Sequence, residues 1–470
     1  MPANVHILGG GLAGMSCAAD LCKAGVKVRV LEADEQVGGL ARSLRIGGFT
    51  VDLGPHRFHS NAASINDHVK GALDGNVHDR ERMSRIYLFR RFFYYPLRAG
   101  NVFRNLPPTI LLRSFLDYWA MWFRQKFRPL PDDNFENYVR KRFGNTLART
   151  FFSTYTEKAW QIPASQISPD WASQRITLLN LWDVVKKTLT RPRDVPRTYV
   201  SKFIYPKEGG VGAIAQGYRR IAEANGGTIV TGATVRRIRH AEGRVTAVGF
   251  ERDGTLAEQA IGADDRVVST LPVNRLVEML DPPAPREVLD AARDLKHKAI
   301  VFVYLMLDRE QVTPDHWVYL PEKHLTVHRI SEFKNFAEST CPKGKTLVCA
   351  EITCNEGDER WRTSDAELAQ IATRDLVSVG LFRAEEVIDS AVRKIPYSYP
   401  LYDLAYRKNL QTLLGHLRHL RNLVSTGRQG LFRYGNMDHS IAMGARVART
   451  LATGQGPDHG EVATEDESFD

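Results

Sequence analysis

The amino-acid sequence predicts an α/β fold: a discontinuous Rossmann-like domain, a helical insert and a domain built on an antiparallel sheet. Three observations carry this expectation. A strand–turn–helix–strand pattern opens the chain, with glycines at 9, 11 and 14 in its first turn. The same alternation returns in the second half and again near the C-terminus, so one sheet is assembled from separated segments. Between these lie an aromatic, Arg-rich stretch with helical spacing and, later, apolar runs of strand length.

The elements follow in chain order. Val5 to Leu8 is a short apolar strand. The pattern from Met15 to Lys23 is helical and stops at Gly25, and "VKVRVLE" is a second strand ending in Glu32. Residues 81–195 form the helical insert, read from "PPTILLRSFLDYWAMWFRQKF" and "DNFENYVRKRFGNTLARTFF". "YPKEGGVGAIAQGYRRIAEANGGTIVTGATVRRIRH" restores turn, helix and strand; "GRVTAVGFERDG" reads as a hairpin and "DDRVVSTLP" as a strand. Residues 275–395 alternate strands such as "KAIVFVYLML" and "TLVCAEIT" with helices, which predicts the antiparallel sheet domain. The nucleotide-binding domain is therefore expected over 1–80, 196–274 and 396–454. An acidic tail at 455–470 with one aromatic is expected to be disordered.

Composition narrows the function classes. The 64 Lys and Arg against 54 Asp and Glu leave a net charge of +10, which suits an anionic partner. The basic residues are spread over the chain and no recognised binding module accompanies them, so nucleic acid is not the expected partner. Five cysteines without a CxxC pair argue against a disulfide framework or a zinc ribbon, and point to a reducing, cytoplasmic setting. The N-terminus runs directly into a strand, so no signal peptide is expected, and no apolar window of spanning length occurs. The stretch "RIYLFRRFFYYPLRAGNVFRNLP" with the aromatic helix after it reads as core and pocket wall, or as an amphipathic basic face for anionic lipid at the membrane periphery.

The glycine pattern carries the first chemistry. Gly9 permits the tight turn, Gly11 lets backbone N–H groups reach a pyrophosphate at the helix N-terminus, and Gly14 lets helix and strand pack closely. Glu32, about twenty residues on, suits a ribose hydroxyl and disfavours a 2′-phosphate. Directly after it, "ADEQVGGLARS" brings Gly38, Gly39, Arg42 and Ser43.

This second glycine cluster resembles the extended FAD fingerprint of the amine oxidase and mutase flavoproteins. Three further segments extend the resemblance over nearly the whole chain: "DLGPHRFHS", "YTEKAWQIPASQISPDWASQRI" and "GRQGLFRYGNMDHSIAMG". Together they resemble the UDP-galactopyranose mutase-like branch of the FAD-dependent amine oxidase/protoporphyrinogen oxidase superfamily.

The resemblance implies a set of roles. FAD is the cofactor, with Gly54 and Val235 approaching it through their backbones. His59 tunes the reduced flavin, and His56 is structural. A metal at this His pair is not expected, since no third ligand stands at a workable spacing. Arg175, Arg428 and Tyr434 are implied in catalysis beside a diphosphate, and Arg428 also in binding the cofactor. Trp160, Tyr399 and Asn436 are implied in substrate binding, Trp160 reading equally as a core aromatic. The chain departs from the mutase pattern at Arg57, Gln161 and Asn436.

Three functions stay open. One is a mutase-like rearrangement of a sugar nucleotide or glycosyl phosphate through reduced flavin, with NADPH or a reductase as electron donor. Another is an FAD-dependent oxidation of a sugar- or prenyl-linked substrate. The third is flavin binding without catalysis.

Overall fold

The computed structural model describes residues 1–175 and 202–454. The expected disordered tail lies outside the described residues. The chain divides into two compact units, one of Met1–Arg80, Phe203–Lys296 and Tyr406–Asp470, the other of Glu81–Lys202 and His297–Ala405.

The first unit is organised by a five-stranded parallel sheet. Its strands run in the order Leu423–Ser425, Arg266–Ser269, Asn4–Leu8, Lys27–Leu31, Thr228–Val230. The centre strand is buried along nearly its whole length, as a parallel strand covered on both faces must be. The helix Leu12–Lys23 crosses from this strand to the next. It is Ala-rich and ends where Gly25 takes a φ of 80°. Gly444, on the closing helix Met437–Thr453, carries no Cβ because one there would collide with Ala13 O and Ser16 Oγ. That absence lets the two helices cross at backbone distance. The unit also holds a four-stranded sheet, in which the stretch expected as a hairpin is one strand, Arg244–Arg252, paired with Thr255–Ala260 after it, and a two-stranded hairpin of Ser43–Ile46 and Phe49–Asp52.

The second unit is built on a seven-stranded sheet. Its order is Val387–Pro400, His297–Leu307, Thr346–Cys354, Arg329–Glu332, Trp317–Tyr319, Ser84–Leu88, Arg91–Tyr94. All neighbours are antiparallel except Trp317–Tyr319 against Ser84–Leu88. The stretch expected to be mainly helical thus opens with a hairpin. Its Phe92 and Phe93 alternate across the strand and pack on different clusters, and only a strand sends neighbouring side chains to opposite faces.

Alternation also separates the two faces of the long strands. Ala299, Val301, Val303 and Leu305 join Val348, Ala350 and Ile352 in a core under Leu368, Ala372 and Leu376 of the helix Asp365–Val379. The residues between them, among them Glu351, point to the other face. The helices Pro108–Phe127 and Phe135–Leu147 pack together in this same unit.

Candidate active site

In the first unit the glycine turn is set by sterics. Gly9 has a φ of 101°, which L side chains rarely adopt, and a Cβ there would collide with Thr270 Oγ1. A Cβ on Gly14 would collide with Gly9 O. Gly11 differs: its φ of −67° is ordinary and a Cβ would meet nothing within 4 Å. It caps the N-terminus of Leu12–Lys23, where free N–H groups and the helix dipole favour an anion.

Around this turn the predicted residues converge. Glu32 Oε2 accepts from Gly10 N–H at 2.6 Å and Oε1 from Asp34 N–H at 2.9 Å. Burial pushes its carboxyl up, and these two backbone bonds oppose the shift. Gly38 N–H donates to Gly10 O at 2.8 Å, and Gly38 and Gly11 form a parallel bridge, so the second glycine cluster lies against the first. Arg42 reaches Asp34 at 2.5 Å. Val235 sits buried on Ala233–Ala241, a strand that starts with Ala233 N–H bonded to Glu32 O at 2.8 Å.

The C-terminal segment comes to the same place. Gly427, with a φ of 79°, lies against Ala13 and Thr270, so the short helix Gly427–Gly430 packs on the start of the first helix. Arg428 donates through Nη1 to Gly435 O, and its guanidinium lies 4.7 Å from the Tyr434 ring centre. Asn436 caps Met437–Thr453 in a reciprocal arrangement with His439, its N–H donating to His439 Nδ1 at 3.0 Å.

The His-containing turn has its own anchor. Gly54 takes a φ of 94° and accepts from His56 N–H at 2.8 Å. Phe58 is fully buried and exchanges both backbone hydrogen bonds with Ile204, at 3.0 and 2.8 Å. His56, Arg57 and His59 are each half-buried, so burial does not separate the two histidines.

Sequence reasoning missed the residue that ties this turn down. Asp52 is fully buried and accepts from Ser43 Oγ at 2.5 Å, Tyr205 OH at 2.6 Å and Val211 N–H at 3.2 Å. Burial nevertheless pushes its carboxyl up to about 6. Ser43 Oγ in turn accepts from Gly212 N–H at 2.8 Å, which joins the "EGGVG" turn to the hairpin before the histidines. The available signal was a lone acid ending the apolar run "FTVD".

In the second unit Trp160 is buried, its ring 4.8 Å from Trp171 and 5.9 Å from Tyr399. Tyr399 OH lies 3.2 Å from Arg329 Nη2. Arg329 forms a two-pronged pair with Glu351, at 2.7 and 2.6 Å, directly across the sheet in register. Arg329 is the second residue that sequence reading passed over; in "VHRISEF" it looks like any strand Arg. Lys158 holds the Trp160 helix in place by donating to Leu320 O, Val327 O and Glu322 O at 2.6, 2.7 and 2.9 Å. Gln161 has a φ of 53°, the left-handed region that favours glycine, and its Nε2 donates to Thr353 O at 3.1 Å. Arg175 ends the helix Pro169–Arg175, and its side chain lies outside the described residues.

The model of the flavin containing amine oxidoreductases matches residues 12–455. The chain belongs to this family. Among solved structures it is similar to reduced UDP-galactopyranose mutase, at a TM-score of 0.83 and 21% identity, over 99% of this chain and 96% of that one. That likeness is one of fold. Among curated proteins it is 39% identical over 72 residues to hydroxysqualene dehydroxylase of Sinorhizobium fredii, and 46% identical over 52 residues to carotenoid 3,4-desaturase of Haloarcula japonica. These matches span 17% and 10% of those relatives' lengths.

As a member of this family the protein is a flavoenzyme with FAD as its cofactor. The residues present fit that group. Gly11 leaves room for a pyrophosphate on a helix N-terminus, and Glu32 retains lone pairs for a ribose hydroxyl. All five cysteines are free and buried, and among the described residues no cluster of His, Cys, Asp or Glu could hold a metal ion. No described helix is long and apolar enough to cross a membrane.

Proposed function

We propose that this family member rearranges the sugar ring of a sugar nucleotide or glycosyl phosphate without net oxidation. The observation that supports it best is the second unit's cluster: an aromatic wall of Trp160 and Tyr399 joined to the Arg329 guanidinium through the Tyr399 hydroxyl. An aromatic face packs against the apolar face of a sugar, and the Tyr399 phenol, steadied by the Arg329–Glu351 pair, offers its hydroxyl to a phosphate oxygen.

When bound, reduced FAD supplies the electron-rich ring that permits a redox-neutral rearrangement. This chain's residues do the rest. Gly9, Gly11, Gly14, Glu32, Gly38, Gly39 and Arg42 hold the dinucleotide, with Gly54 and Val235 as backbone contacts. His59 sets the electronic state of the flavin through a hydrogen bond. Arg428, Tyr434 and Arg175 balance diphosphate charge as the phosphate departs. Asn436 takes part in substrate binding, where mutases carry Asp. NADPH or a reductase keeps the flavin reduced, and the setting is cytoplasmic.

A second reading is favoured by the name of one curated relative, a carotenoid desaturase: net oxidation of a sugar- or prenyl-linked substrate. One experiment separates the two. The yellow protein is incubated with UDP-sugars before and after dithionite reduction. Product isomeric with the substrate, formed only by the reduced protein, supports the mutase reading. Product two electrons more oxidised, formed by the oxidised protein, sinks it.

A further inference from the structure

The second unit carries a helix that is amphipathic the wrong way round. Pro108–Phe127 buries Ser114 and Met121 and turns its large apolar side chains outward. Leu112, Phe115, Leu116, Trp119, Trp122, Phe123 and Phe127 are 62, 60, 59, 47, 46, 61 and 70% exposed. Their spacing of three and four residues places them on one stripe. Ring contacts run along it: Phe115 to Trp119 at 6.2 Å, Trp119 to Trp122 at 5.6 Å and Phe123 to Phe127 at 4.9 Å. With roughly half to two thirds of each residue open, the stripe exposes on the order of 800 Å² of apolar surface, beyond what an isolated soluble protein ordinarily shows.

Its charge is one-sided. Arg104, Arg113, Arg124, Lys126 and Arg128 are exposed on and beside the helix, and Lys126 Nζ lies 3.8 Å from the Trp122 ring centre. The helix's one acid, Asp117, is bound by Thr146 through its backbone N–H and its hydroxyl. Downstream, Asp132 is engaged by Lys141 and Arg142. A second copy of the chain seated here about a twofold axis would bring these cations against their own equivalents, and the helix itself offers no exposed acid to answer them. An anionic bilayer answers both features. Phe, Leu and Trp enter the acyl boundary, and Arg and Lys stay at the phosphate level.

We propose that this face docks the protein on anionic lipid membranes, with Pro108–Phe127 lying in the plane of the interface. The helix is about 30 Å long, so its whole stripe is seated at once. The inference does not depend on the reaction proposed above, since docking is read from binding alone.

The test is sedimentation of the full-length holoprotein with vesicles of phosphatidylcholine, pure or with roughly one third phosphatidylglycerol, a composition that sets the surface charge. The protein is expected to sediment with the anionic vesicles and far less with the neutral ones, and added salt should weaken the preference. The double variant Trp119→Glu, Trp122→Glu should lower partitioning by about tenfold or more, and Arg113→Glu, Arg124→Glu should remove the preference for anionic lipid. Melting curve and FAD content should stay as in the parent protein. Without any substitution, vesicles with brominated acyl chains should quench part of the tryptophan fluorescence. A holoprotein that stays in the supernatant at every lipid concentration overturns the proposal. So do variants that sediment as well as the parent, absent quenching, or a lipid-independent dimer that the Trp→Glu pair dissolves.

Discussion

Replacing Gly11 with alanine should separate holding the cofactor from holding the fold. The backbone there is ordinary, with φ −67° and ψ 178°, and a Cβ would meet nothing within 4 Å. Alanine at this cap position should therefore cost the protein without cofactor no more than about 1 kcal/mol. The added methyl stands where the pyrophosphate is proposed to approach the backbone. Losing one or two charge-assisted hydrogen bonds costs about 3 kcal/mol, and at roughly 1.4 kcal/mol per tenfold the Kd for FAD should rise about 10²-fold or more. Gly14→Ala should behave oppositely, because its Cβ would collide with Gly9 O and stand 3.2 Å from Ile7 Cγ2. Strain of that kind in a packed core costs about 1–3 kcal/mol. The assay is FAD titration into cofactor-stripped protein, followed by fluorescence, with urea unfolding of both variants. Stoichiometric FAD at the parent Kd in Gly11→Ala, or an unfolding midpoint as low as that of Gly14→Ala, would refute the reasoning.

Four further outcomes are expected. Asp52, raised from 3.8 to about 6, favours the folded state fully below about pH 4 and loses that contribution as pH rises through 6. Asp52→Asn should thus be up to about 3 kcal/mol more stable than the parent at pH 8 and nearly equal at pH 4; an unchanged difference across that range, measured by urea unfolding, counts against it. Arg428→Ala should lower kcat/KM about 10²-fold with a melting temperature close to the parent's, and full activity would make Arg428 a purely structural contact to Gly435. His59→Ala should keep FAD and shift the flavin reduction potential, while His56→Ala should mainly lower the melting temperature; the reverse pattern in spectroelectrochemistry and melting exchanges their roles. Lys158→Met should cost about 3 kcal/mol, because three carbonyls lose their donor, and a melting curve within a degree of the parent's would show that water replaces it.

How much was legible in the sequence follows contact distance along the chain. The dinucleotide cradle is local: Gly9 to Glu32 span one strand–helix–strand unit, and the 2.6 Å bond from Gly10 to Glu32 closes within it. Glycine spacing reports backbone geometry directly, because only glycine tolerates those torsions and approaches. The Gln161 departure is legible in hindsight for the same reason. It occupies a left-handed position, where glycine is the residue at ease, and offsets the strain with a bond to Thr353 O. The Asp52 node, by contrast, draws on Ser43, Tyr205 and Val211, the last 159 residues away. No periodicity records such a pairing.

The sequence by itself determined the α/β class, the FAD fingerprint and the strand and helix periods, since each depends on neighbours within a turn or a strand. The tertiary structure decided which side chains meet. Alternation could place Glu351 on one face of its strand, but only sheet register set Arg329 opposite it and Tyr399 beside that pair. The same holds for Pro108–Phe127. Its period announces a stripe of leucines and aromatics, and ordinary burial would turn that stripe inward. Packing against Phe135–Leu147 took the other face instead, where Gly144 comes within reach of the Asp117 and Tyr118 backbone. The hydrophobic effect rewards buried area without direction, so which face a helix buries depends on the surface it meets.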